Sequence, residues 1–375
     1  MSEYDPQSSY ADRRRARRDA RGGGGRAARR LLGVGVFLVG VAAVFAVITV
    51  SLHLRLPLGI NASHTHTTTT GGSTGGSTGP TVSTPPASHP GMLVRVSTAA
   101  ALLAPASRVA AVPFGAGGAL FLGGYDANGA PTNTMQTLTG ASIQASGTLP
   151  GSDASAVAAT LRSTVYLFGG VGGIASSIYE ITAIAATAVG SLPQPTGDAA
   201  VAAVHGTAYI IGGDTGSTEL NTIVSFAPGS TATVVATLPV TLRYATAVAL
   251  GGEIYILGGE TNGSASSTVY RFDPATKALS TFAHLPHARD REAAATLDGR
   301  IVVAGGISTA TGQRTRAIYV LNPHTGAVHL GGILPVALSD ATAVRAPGRI
   351  LIAGGVAGSG TASSSIYTVA KRVLR

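Results

Sequence analysis

Arg243, Tyr244, Asp290, Arg291, Asp198 and Asp340 are spaced as a set. Asp198, Tyr244, Arg291 and Asp340 stand five residues after successive prolines, and Arg243 and Asp290 each come one residue earlier. Ala110 and Ser155 fall at the two remaining places of the same count. Asp214 and Glu260 lie on polar loops of the neighbouring segments. Guanidinium, carboxylate and phenol groups gathered at one mouth would suit a sugar, a small acid or a peptide carboxylate. The same residues also suit a solvated rim in which Arg–Asp pairs tie neighbouring units together. Both arrangements stay open at this point.

The elements that position these residues repeat. A short apolar strand ending in Gly-Gly occurs six times, closing at Gly124, Gly170, Gly213, Gly259, Gly306 and Gly355. Each is followed by a polar loop and a second strand, with a tyrosine at Tyr179, Tyr270, Tyr319 and Tyr367. A third strand then leads to Leu-Pro at 149–150, 192–193, 238–239, 285–286 and 334–335, and an Ala/Val-rich strand follows. Four strands in a period of about 46 residues predict a β-propeller blade. The glycine pair marks a place where a side chain would crowd a neighbour or where φ is positive.

These residues resemble the kelch-repeat family, whose signature is an apolar strand ending in Gly-Gly, a tyrosine about a dozen residues on, a tryptophan, and Leu-Pro. The fifth repeat fits best, with Phe272-Asp273-Pro274 and Leu285-Pro286-His287-Ala288-Arg289. The family's tryptophan is absent, since the chain has none. The resemblance spans residues 92–375 and implies an all-β, six-bladed kelch-type β-propeller. Leu93–Val96 supplies the strand missing from the last blade, so the two ends of the array close the ring.

The segment before the propeller reads differently. Residues 1–30 carry nine arginines against Glu3, Asp5, Asp12 and Asp19 and form a basic tail. Residues 31–52 are apolar and uncharged. At about 1.5 Å per residue they span a bilayer core. A transmembrane helix over 31–54 is therefore expected. The arginines before it place the N-terminus in the cytoplasm and the propeller outside. Residues 55–91, rich in Ser, Thr, Gly and Pro, form a flexible linker, because such a composition cannot bury a core. Arginine outnumbers lysine 24 to 2, which suits a GC-rich bacterial genome.

Composition narrows the chemistry. The chain has 375 residues, 51 glycines and no cysteine. This excludes disulfides, thiolate metal sites and thiol nucleophiles. No His-Glu-x-x-His, Gly-x-Ser-x-Gly or phosphate loop occurs. No cofactor, metal or nucleic-acid partner is expected. The reading is a non-enzymatic, membrane-anchored binding or scaffold module for an extracellular protein, peptide or carbohydrate. The bilayer itself is a partner through 31–52. The alternative, implied by resemblance alone, is an exported sugar-acid epimerase or mutarotase similar to N-acetylneuraminate epimerase, with Asp290, Arg291 and Glu292 as its charged set.

Overall fold

The structure is a computed structural model that describes residues 91–171, 175–182 and 185–373. The basic tail, the transmembrane helix and the linker up to residue 90 lie outside the described residues. Among the described residues every regular element is a strand, and no helix is long and apolar enough to cross a membrane.

The first strand, β1 (Val94–Ala106), precedes the repeats. Two four-stranded sheets follow. One contains β2 (Ala110–Phe114), β3 (Gly118–Leu122), β4 (Thr132–Thr139) and β5 (Ser142–Asp153). The next contains β6 (Val157–Leu161), β7 (Thr164–Phe168), β8 (Ser177–Ile181) and β9 (Ala186–Ser191). A third is built from β10 (Ala200–Val204), β11 (Thr207–Ile211), β12 (Thr222–Phe226) and β13 (Thr233–Thr237). The fourth period gives β14 (Thr246–Leu250), β15 (Glu253–Leu257), the short β16 (Glu260–Thr261), β17 (Ser264–Asp273) and β18 (Ala278–Asp290). The fifth gives β19 (Ala293–Leu297), β20 (Arg300–Ala304), β21 (Ile307–Ser308), β22 (Gln313–Arg314), β23 (Ala317–Leu321) and β24 (Val328–Ile333). The last has β25 (Leu338–Ser339), β26 (Thr342–Ala346), β27 (Arg349–Ala353), β28 (Val356–Ala357) and β29 (Ser363–Lys371).

The expected six separate four-stranded blades are corrected to five. The strands β14, β15, β17 and β18 belong to a seven-stranded sheet that also takes in β21 and β22. The cause is the length of β18. It runs 13 residues through Leu285-Pro286 without a break, so its end pairs with the next period at Asp290↔Ile307. Other periods make the same contact as isolated bridges, Ser107↔Tyr125, Ala154↔Val171, Gly197↔Asp214 and Arg243↔Glu260, or as the two-stranded β25–β28 pair.

The array closes on itself. β1 pairs antiparallel with β29 from Val94↔Lys371 to Ala101↔Ser365, giving the sheet order β1-β29-β27-β26. The innermost strands β2, β6, β10, β14, β19 and β26 contact one another in cyclic order. They are rich in Ala and Val because facing inner strands leave little room for larger side chains. Between sheets the packing is aromatic and aliphatic: Phe168 and Phe226 meet edge to face, 5.6 Å apart. The five leucines of the Leu-Pro connections are all buried.

Candidate functional site

The connections into the inner strands build a ring of six residues. The amide of Arg108 donates to the carbonyl of Asp340, Ser155 to Arg108, Asp198 to Ser155, Tyr244 to Asp198, Arg291 to Tyr244 and Asp340 to Arg291, at 2.9–3.3 Å. Each residue thus donates to its predecessor, and the chain of bonds closes. All six have positive φ, between 50° and 58°. That is the left-handed region, which costs a non-glycine residue roughly 1 kcal/mol or more. The geometry aims the six side chains at one mouth, where they line a cavity of about 130 Å³.

Local sequence explains the turn. In the fifth period Gly305 and Gly306 have φ of 69° and 91°. A Cβ on Gly305 would meet the Leu338 carbonyl, and one on Gly306 would lie 2.8 Å from the Asp290 carbonyl. Glycine lets the strand end against the connection that carries Asp290 and Arg291.

Side chains cross the mouth. Arg108 Nε donates to Asp340 Oδ1 at 2.9 Å, and its Nη1 reaches Asp198 Oδ1 at 3.1 Å. Arg291 Nε lies 3.3 Å from the same Asp340 Oδ1. The guanidinium carbons of Arg291, Arg243 and Arg108 stand 3.8, 4.7 and 4.8 Å from the centre of the Tyr244 ring. Beside the ring, Arg243 holds Glu260 at 2.6 Å, Asp214 at 3.2 Å and Glu219 at 3.4 Å. Three carboxylates that could gather a cation are thus filled by one guanidinium.

Burial sets the protonation of these groups. Burial alone would raise Asp340, but Arg108, Arg291 and the Ser339 hydroxyl hold it below the usual carboxylate value. Asp290 is pushed up to about 6 by burial, against the pull of Arg291. Asp214 is raised by burial and by Asp198. Glu292, one step beyond the ring, is held well above its ordinary value by burial, and neither carboxyl oxygen has a hydrogen-bond partner. Val109, Ala156, Ala199, Ala245 and Ala341 occupy the matching places. Glu292 also lines the adjoining central chamber of about 210 Å³, whose walls are otherwise mostly alanine, valine and threonine.

All eight residues expected at the site from the spacing are brought together. Asp198, Tyr244, Arg291 and Asp340 are in the ring. Arg243 and Asp290 stand immediately before ring members; Glu260 bridges Arg243, and Asp214 bridges Gly197, the residue before Asp198. Ala110 is not the sixth ring member; Arg108 is. Counting from Pro105 overshoots because the buried leucine matching those of the Leu-Pro pairs is Leu102, so Leu103 holds the proline's place and Pro105 stands two residues late. Counting back from Gly-Gly lands one residue from Arg108, the difference being the extra residue in the 115–117 turn. Glu219 was also missed, since only the Asp214↔Glu219 bridge folds its loop back onto Arg243.

The fold and the ring can now be set beside known proteins. A family model described as the Kelch motif matches residues 241–278, which hold Arg243, Tyr244 and the Gly258-Gly259 strand end. The chain is a kelch-repeat β-propeller. The solved structure of YjhT is similar to the kelch propeller described here, with a TM-score of 0.61 at 15% identity, over 71% of this chain and 95% of that one. At that identity the likeness concerns the fold alone. No curated protein matches the chain in sequence.

Proposed function

We propose that the kelch propeller is a non-enzymatic binding module whose ligand, a peptide, protein or carbohydrate, docks on the ring face. The observation that carries this reading is the set of six left-handed residues. Glycine would relieve the backbone strain at each place. The chain instead holds Arg, Ser, Asp, Tyr, Arg and Asp there. Strained backbone of this kind clusters at active sites and ligand clamps. The Arg291 pairs with Asp290 and Asp340 hold that side of the ring before a ligand arrives, which lowers the ordering cost of binding. In this proposal residues 31–52 anchor the chain in a bacterial membrane and display the propeller outside the cell.

The test is a binding screen of the full chain against saccharides, cell-wall fragments and peptides, repeated with Tyr244→Leu. Saturable binding lost in the variant, with the circular dichroism spectrum unchanged, supports the module. Turnover of a sugar acid overturns it. A reporter fused to the C-terminus, active only outside the cell, tests the orientation.

One observation favours the epimerase reading. Asp290 Oδ2 and both oxygens of Glu292 are buried without partners beside Arg291. Carboxyls held above their normal pKa suit acid–base chemistry near neutral pH. Against it, Asp290 is fully buried, and Glu292, although it lines the mouth cavity and the central chamber, is only 5% exposed. Glu292→Gln would abolish turnover under this second reading and leave binding intact under the first.

A further inference from the structure

The mouth already holds a ligand-like group. The Arg108 guanidinium has carboxylates on two sides, Asp340 at 2.9 Å and Asp198 at 3.1 Å, with the Ser155 hydroxyl at 3.4 Å. Tyr244, three places round the ring from Arg108, puts its face 4.8 Å from the guanidinium carbon, and the Tyr125 ring is at 5.7 Å. Two carboxylates and an aromatic face form the usual receptor for a guanidinium. Asp290 adds a fully buried carboxyl oxygen without a partner to the same cluster.

Charge points the same way. Arg108 and Arg291 face Asp198, Asp290 and Asp340. Arg243 faces Asp214, Glu219 and Glu260. Arg289 and Arg314 stand nearby, bonded to the Gly305 carbonyl and the Ser339 hydroxyl. Burial raises Glu292 well above its ordinary value. Even without it the carboxylates outnumber the guanidiniums, and more so once Arg108 leaves. An anion would find no surplus of positive charge.

Resting on the binding-module reading, we propose that the ring face is a guanidinium-recognition site occupied here by the chain's own Arg108, and that its external ligand is a peptide arginine that replaces Arg108 between Asp198, Asp340 and Tyr244. Arg108 is suited to leave. It is attached through a connection rather than a strand, and its side chain is the most exposed of the ion-paired groups at the mouth, at 13% against 3% for Asp198 and 7% for Asp340. A planar fork bridges two carboxylates and stacks on an aromatic face at once, so lysine is a poorer occupant.

The experiment titrates methylguanidinium into the full chain and into Arg108→Ala by calorimetry. Two charge-assisted hydrogen bonds become available when Arg108 is removed. Arg108→Ala is therefore expected to bind methylguanidinium saturably and at least ~10-fold more tightly than the unaltered chain. Adding Asp198→Asn should cost ~10-fold again, and methylammonium should bind more weakly than methylguanidinium. Equal affinity in the two chains, or no saturable binding to a folded Arg108→Ala, overturns the proposal. If Arg108→Ala does not fold, Arg108→Gln, which keeps a donor for Asp340, is judged by the same two criteria. A saccharide or acidic peptide that binds the unaltered chain, with methylguanidinium binding neither variant, overturns this inference and leaves the binding-module reading standing.

Discussion

Arg108 and Tyr244 stand three places apart in a ring of six, and the Arg108 guanidinium reaches across to within 4.8 Å of the Tyr244 ring centre. One side chain thereby spans the mouth and links strands from the first, third and last periods through Asp198 and Asp340. Breaking a buried ion pair on one side leaves its partners desolvated and uncompensated. Arg108→Ala is expected to lower unfolding stability by about 3 kcal/mol. In a double-mutant cycle, Arg108→Ala and Asp340→Asn should couple by about 1–3 kcal/mol. Denaturant melts of the four proteins measure both quantities; additive effects would show that the pair is decorative.

A second buried acid gives a pH signature. Asp153 accepts the Val171 amide at 3.0 Å, but its other oxygen has no partner, and burial pushes its carboxyl up to about 8 from an ordinary 3.8. Because the folded state keeps this proton longer than the unfolded state, stability falls as pH rises from about 4 to about 8. Asp153→Asn should remove that decline and gain on the order of 2 kcal/mol at pH 7. Thermal melts from pH 4 to pH 9 decide it: parallel curves for the two proteins would rule the assignment out.

The periodic part of this molecule was legible because each period repeats one steric requirement. The strands ending at Leu122, Phe168, Ile211, Leu257, Ala304 and Ala353 all stop at the glycine pair that the sequence displays. The ring was legible to the extent that its spacing follows the same period. It failed at Arg108, where Leu102-Leu103 stands in place of Leu-Pro and the nearby Pro105 is two residues late, and at Glu219, whose place depends on how a loop folds back. The joining of the fourth and fifth periods was not legible either. It depends on β18 remaining extended to Asp290: β5 also runs past its Leu-Pro but ends at Asp153 and leaves only the isolated Ala154↔Val171 bridge, and in the three other periods the strand stops before Leu-Pro.

Closure by β1 carries a mechanical consequence. Val94–Ala101 is the only partner of the outer edge of β29 in their sheet, and Val94 is buried against Val320, Ile350 and Val369. Deleting residues 92–98 should lower the melting temperature of the whole propeller and broaden its transition, because loss of the closing strand exposes the last sheet. The exposed pair Lys371–Asp298, at 3.9 Å, is the internal control: Lys371→Ala should change stability by less than about 0.5 kcal/mol. Comparable losses from the two changes would refute a closing role for β1.

Glu292 offers the sharpest separation between function and stability. It replaces the alanine or valine found at the five matching places, and its carboxyl fills space beside Gly258, where a Cβ would collide with it. Both oxygens lack a hydrogen-bond partner, so the folded state carries a desolvation cost that the charge of Arg289 offsets only in part. Glu292→Met keeps the volume and removes the polar group. It should stabilise the chain by on the order of 1 kcal/mol at pH 7. The sign against pH follows from the raised folded-state value: the wild-type carboxyl stays protonated after its unfolded counterpart ionises, so its contribution to stability declines as pH rises above 4.5. The gain in Glu292→Met should therefore widen between pH 5 and pH 8, and calorimetric melts across that range read it directly. A variant that is less stable than wild type at every pH would mean that the Glu292 carboxyl has a compensating partner in solution, and the case for a buried neutral acid beside the ring would fall.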